Sequence, residues 1–220
     1  MSKIKTFIAT IPFQGKDGRG NDLLTPVTYA PAGNTKLAYG ETRFPIIPVM
    51  NGYAERGDKI RVLAILTDGE NFRHNHETYF VPEISALAKE KAYDFSGVEV
   101  ISVPDDESID AQLKLFADII AKIGDGEETF ACITYGTKPT PIVQTMALNY
   151  AYKLKKDVSV GCVVYGRFMH KSGDGRGVGT IYDTTALFYM DGIVNRLAEM
   201  KAANPEKAIR ALLELGDGDE

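Results

Sequence analysis

The chain has little of what most thiol, metal and disulfide chemistry is built from: two cysteines, Cys132 and Cys162, and three histidines in 220 residues. Both cysteines lie in apolar, strand-like runs, where the residue behaves as a small buried hydrophobe in a reducing compartment, so no disulfide framework is expected. His74-Asn75-His76-Glu77 is the only histidine cluster. With no further His or Cys beside it, it reads as a surface loop, and no metal site is expected. Positive charge is outweighed too, 25 Lys and Arg against 30 Asp and Glu. The formal net charge is −5, which leaves no overall field to draw a nucleic-acid duplex, although a local basic pocket remains open. No apolar run approaches the roughly 18 residues that cross a bilayer, and Met1-Ser2-Lys3-Ile4-Lys5 leads into a strand rather than a signal-peptide core. The expectation is a cytoplasmic protein that meets neither membrane nor duplex.

Several motifs are missing as well. A nicotinamide or flavin enzyme needs a Gly-x-Gly-x-x-Gly turn after the first strand, where this chain has Ile11-Pro12-Phe13-Gln14-Gly15-Lys16. The glycines from Gly173 to Gly179 lie between two strand-like runs, with no helix to supply a dipole. No Gly-x-x-x-x-Gly-Lys-Ser/Thr loop occurs, nor the His-x-Glu with Pro-Cys-x-x-Cys of zinc deaminases. The segment from Glu206 to Glu214 is too short and too mixed in charge for a recognition helix. No cofactor is expected.

What is present is an alternation. Hydrophobic residues make up 44% of the chain, enough for a real core. Strand-like runs span Lys3 to Ile11, Lys59 to Leu66, Val98 to Val103, Thr129 to Tyr135, Val158 to Tyr165 and Val178 to Tyr182. Helical patterns fall at about Pro45 to Glu55, Tyr79 to Ala92, Ile109 to Ile123 and Pro141 to Lys155. Within the third, Ile109, Leu113, Phe116, Ile119, Ile120 and Ile123 have the spacing of a core-facing stripe. The pattern predicts an α/β, Rossmann-like fold: a mainly parallel six-stranded sheet, helices on both faces, and a C-terminal antiparallel hairpin, because the segment from Gly166 to Gly177 has no helical pattern. A helix from Thr185 to Ala203 closes a ligand-sensing domain over residues 1–203. Residues 204–220 form a short helix and an acidic tail, or a linker to a further module.

In such a sheet, ligands bind beyond the carboxyl ends of the strands. Three loops leave that edge: Thr10-Ile11-Pro12-Phe13-Gln14, the segment from Thr67 and Asp68 to Asn71, and Thr134-Tyr135-Gly136-Thr137-Lys138-Pro139-Thr140-Pro141. The last joins glycine, hydroxyls and one ammonium to prolines that can open a helix, which is the chemistry of an anion cradle. Each loop alone also fits an ordinary turn. Arg43, in Glu41-Thr42-Arg43-Phe44-Pro45, either reaches a ligand or is a solvated arginine at a helix start.

The order Tyr135-Gly136-Thr137-Lys138-Pro139, then a helix, then a strand ending Val164-Tyr165-Gly166, then Ile181-Tyr182-Asp183-Thr184-Thr185-Ala186-Leu187-Phe188, resembles a CARF domain, the CRISPR-associated Rossmann fold of type III systems. It is most similar to the branch with an Asp-x-Thr-His-Gly motif, over roughly Ile4 to Glu199. Asp183-Thr184-Thr185-Ala186 lacks that motif's His-Gly. The resemblance implies a homodimer whose two carboxyl-edge pockets share one cyclic oligoadenylate, of four or six adenylates. Gly136, Thr137 and Lys138 would contact phosphate and ribose, and the Thr10 to Gln14 and Thr67 to Asn71 loops would line the adenine pockets. It also implies a sensor that controls an effector module, fused or separate, not contained in this chain. The alternative is a metal-independent ring nuclease that aligns a ribose 2′-OH for attack on phosphate. Lys138, Thr137, Thr10 and Gln14 are then the catalytic candidates. Asp183 is expected to order its own loop, since a carboxylate repels phosphate.

Overall fold

The computed structural model of the chain describes residues 3–169 and 177–216. The central strand β1 (Lys5–Thr10) is buried along almost its whole length, as a parallel strand covered on both faces must be. The other strands are β2 (Val27–Ala32), β3 (Glu41–Thr42), β4 (Lys59–Thr67), β5 (Asp94–Val103), β6 (Glu128–Cys132), β7 (Ser159–Met169) and β8 (Gly177–Asp183). They form one sheet in the order β3-β2-β8-β7-β6-β1-β4-β5. β5, β4, β1, β6 and β7 are mutually parallel, with Phe7 level with Val62 on one side and Phe130 on the other.

The sheet therefore has eight strands, not six. β2 was hidden by Pro31, a poor strand residue because it donates no ladder hydrogen bond. It is tolerated here because β3 pairs only with Val27 and Thr28, which leaves the rest of that side of β2 unpaired. β7 and β8 pair antiparallel, Met169 opposite Val178. The expected hairpin connection falls on residues 170–176, outside the described residues. The pair does not end the sheet, since β2 adds to β8 in parallel and β3 to β2.

Helices cover both faces. α1 (Ile46–Tyr53), α2 (Glu70–Asn75), a π-helical turn His76–Phe80 and α3 (Val81–Lys91) precede β5. α1 and α3 share a core with Phe7, Ala9, Ile11, Val62 and Phe130, in which Phe7 and Phe130 stack at 4.6 Å. α4 (Ile109–Lys122) and α5 (Pro139–Leu154) pack side by side. α4 starts on Ser108, whose hydroxyl caps the Ala111 N–H at 3.3 Å. Its core stripe is only partly the expected one: Ile119 and Ile123 are buried as expected, joined by Ala111 and Leu115, whereas Ile109 and Leu113 are 70% and 59% exposed. α4 carries apolar residues on two faces, so periodicity alone picks either.

The amino edge of the sheet is tied by charge. Glu127, 3% exposed, accepts from the Thr6 hydroxyl at 2.6 Å and from Arg61 at 2.6 Å, while Arg61 also reaches Glu99. This first compact unit runs to Thr185. A second begins at Ala186 and holds the remainder of α6 (Thr185–Glu199), then α7 (Pro205–Gly216), on which Leu212 and Leu213 are exposed.

Candidate functional site

From β1 the chain runs out to β2 and β3 at the far edge, crosses to β4 and β5 on the other side of β1, and then returns to β6 and β7 on the first side. The reversal leaves a crevice at the carboxyl ends of β1 and β6, where open α/β sheets hold their ligands. A cleft of about 410 Å³ lies there. Pro12, Phe13 and Gln14 line it from the β1 loop, Thr67 and Phe72 from the β4 side, Asp105 from beyond β5, and Thr134, Tyr135, Gly136 and Thr137 from the β6 loop. The three loops expected from the sequence thus share one cleft. A second cavity of about 330 Å³, bounded by Leu23, Leu24, Thr25, Val27, Phe168 and Gly177, adjoins it through Gln14 and Tyr135.

The β6 loop is shaped by Gly136 at φ +108°, a conformation side chains avoid. A Cβ there would also meet Thr140 at 2.8 Å. Pro139 and Pro141 begin α5 but carry no N–H, and the Thr140 N–H is taken by Thr137 O at 3.0 Å. The helix start therefore supplies fewer donors than the sequence suggested. The loop supplies them instead: among the described residues, the N–H groups of Gly136, Thr137 and Lys138 have no acceptor. Successive free N–H groups in a turn are an anion-binding concavity. Lys138 is exposed, lies next to the cleft's lining residues rather than among them, and among the described residues makes no ion pair. The Thr137 hydroxyl lies 3.1 Å from that of Thr140.

Other predicted residues take supporting roles. The Thr134 hydroxyl accepts from Gly166 N at 2.7 Å and ties β6 to β7. Tyr135 turns inward, its hydroxyl donating to Arg43 O at 2.9 Å, and burial raises its phenol well above the ordinary range. Arg43 is absent from the cleft lining: it pairs with Glu83 at 2.8 Å, donates to Leu24 O at 3.0 Å and covers the Tyr79 ring at 4.1 Å. Asp68 is exposed and Asn71 packs on Gly15, neither of them on the cleft wall. Ile11 is fully buried in the core. Thr10 is 1% exposed, with its hydroxyl unpartnered.

Three contributors escaped the sequence reading. Asn75, 1% exposed, donates both Nδ2 hydrogens to the β1 loop, to Pro12 O at 2.9 Å and Gln14 O at 2.8 Å. Phe72 packs on the exposed Phe13, ring centroids 5.3 Å apart. Asp105 brings a carboxylate to the cleft. Asn75 sits inside the histidine cluster, whose only signal was for metal; among the described residues no group of His, Cys, Asp and Glu could hold one.

The polar atoms that face the cleft are hydrogen-bonding groups rather than a nucleophile with its base. Gln14 Oε1 is buried without a partner. The thiols lie inside the sheet, where burial pushes Cys132 up to about 11 and Cys162 up to about 12, so neither is a thiolate at neutral pH. Asp183 orders its surroundings: it accepts from Asn34 Nδ2 at 2.6 Å and from Thr185 N at 3.0 Å. Among the described residues, no helix is long and apolar enough to cross a membrane. Set against known proteins, the chain matches no family model and no curated protein.

Proposed function

We propose that the cleft binds a cyclic oligoadenylate, and that the chain is the sensing domain of a type III CRISPR ancillary effector, working as a homodimer on an effector module outside these residues. The observation that carries this reading is the run of N–H groups without an acceptor among the described residues at Gly136, Thr137 and Lys138, in a loop whose Gly136 and Thr137 line one cleft with the β1 and β4 loops and whose exposed Lys138 comes next in the chain. Free donors and a cation suit a phosphate. Phe13, 66% exposed and resting on Phe72, offers a face on which a base can stack. Gln14 Oε1 is an acceptor that suits an adenine amino group or a ribose hydroxyl.

A second reading, a metal-independent ring nuclease, is favoured by the same unpaired Gln14 oxygen and by Asp105. The first can orient a 2′-OH and the second can accept its proton as the 2′-oxygen bonds to phosphorus; the P–O5′ bond breaks, the 5′-oxygen takes a proton from water, and the products are a 2′,3′-cyclic phosphate and a free 5′-OH. Calorimetric titration with cyclic tetra- and hexaadenylate tests the main reading: one ring per two chains is expected, and no binding of either ring ends it. Chromatography of the same mixtures in EDTA separates the two, since linear product identifies cleavage and intact ligand a sensor.

A further inference from the structure

α4 and α5 present an apolar stripe outward as well as one inward. On α5, Ile142, Met146, Tyr150 and Leu154 recur every four residues and are 63%, 57%, 37% and 69% exposed. Ile109 and Leu113 of α4 flank them, and the groove between the helices, about 320 Å³, has no charged residue in its lining. With ~200 Å² for a whole large side chain, the exposed parts of these six come to on the order of 700 Å². That is close to the roughly 800 Å² one partner gives a standard interface. It also exceeds the largest patch of a typical monomer, about 300–600 Å².

We propose that this face is where two copies of the chain meet about a two-fold axis. In an isologous contact each patch meets itself, so a charged side chain near the axis would face its own sign. Four apolar residues in line, with none charged, are what such a contact permits. The charges of α4 next to Leu113 are already spent, Lys114 and Asp118 pairing with each other at 2.5 Å. Residues four apart form a ridge that packs into the groove beside the same ridge of an identical helix. A partner chosen by charge finds nothing to hold in the groove.

The inference rests on the reading of a shared ring. α5 begins at Pro139, directly after Thr137 and Lys138. An axis running along α5 brings two of these loops to the same end of the dimer, where one ring can touch both.

Sedimentation of the full chain without ligand tests the surface. The wild type is expected to be a dimer at micromolar concentration. Met146→Glu and Met146→Lys should each dissociate it, weakening association about a hundredfold, with circular dichroism unchanged because the residue is exposed. An equimolar mixture of the two variants should restore the dimer, as only a face that meets its own copy allows. The same exchange at Ile142 guards against one badly folded variant. A monomeric wild type, or charge variants that stay dimeric, overturns the proposal. Ring binding is measured apart from this. A wild-type dimer that ignores oligoadenylate keeps the interface and loses the ligand, whereas a monomer that binds a ring does the reverse.

Discussion

Lys138 is exposed and, among the described residues, has no ion-pair partner, so its ammonium is hydrated. Nothing in the fold depends on it. Lys138→Ala should weaken oligoadenylate binding at least tenfold, about 1.4 kcal/mol, with the melting temperature unchanged; calorimetry and a thermal scan check both halves. Gly136 is a poorer test, because its positive φ and the nearness of Thr140 make any side chain a structural lesion. His76 has a different kind of leverage. It stacks on Phe80 at 6.2 Å with Nε2 buried and unpartnered, and burial holds its pKa below 6.5. The unfolded chain then binds the proton more readily than the folded one. The stability tied to a neutral His76 is complete above the unfolded value, about 6.5, and drains away as pH falls below it. Urea melts between pH 5 and 8 should show that slope in the wild type and a flatter one in His76→Phe.

At the scale of elements, the β1 loop is held open by one side chain from the end of α2. Asn75→Ala leaves the Pro12 and Gln14 carbonyls without their donor, at a cost of about 2–3 kcal/mol. Urea denaturation should register that loss, and ring binding should weaken with it. The loops themselves were legible, since Pro12 and Gln14 after β1 and the polar residues after Leu66 and Ile133 end apolar runs in a regular alternation. Asn75 was not, because its partners lie more than sixty positions earlier and its neighbours are histidines. β2 was missed for a local reason, Pro31, which an unpaired edge tolerates. α4 misled only in part: apolar residues lie on two of its faces, and the spacing joined the buried Ile119 and Ile123 to Ile109 and Leu113, which are exposed. Arg43 shows a further limit. Its guanidinium is occupied by Glu83, forty residues away, a pairing that no local pattern carries.

Across the whole sheet the two edges differ in how far their polar groups are satisfied. At the amino edge, Glu127, Arg61, Glu99 and Thr6 bind one another. At the carboxyl edge, three successive N–H groups, the Gln14 oxygen and the Thr10 hydroxyl have no partner. Buried polar groups are normally paired, and the unpartnered Gln14 and Thr10 oxygens lie at the edge where the proposed ligand would bind. The direction of that edge was readable from the alternation of strands and helices. The reach of the sheet beyond β8 was not, because β2 and β3 come from a stretch without clear periodicity.

The two prolines that open α5 have one more consequence, which appears when the protein is moved into heavy water. From Thr134 to Pro141 the amides that can exchange are few, and three of them, at Gly136, Thr137 and Lys138, are held by no acceptor. Unprotected amides exchange without any opening of the fold. Mass spectrometry of this peptide should therefore show rapid deuterium uptake in the free chain and marked slowing once a ring occupies the cleft. Unchanged uptake at saturating ligand would mean that these amides do not hold it. With the helix's own first donors replaced by prolines, almost all of the signal would come from the loop.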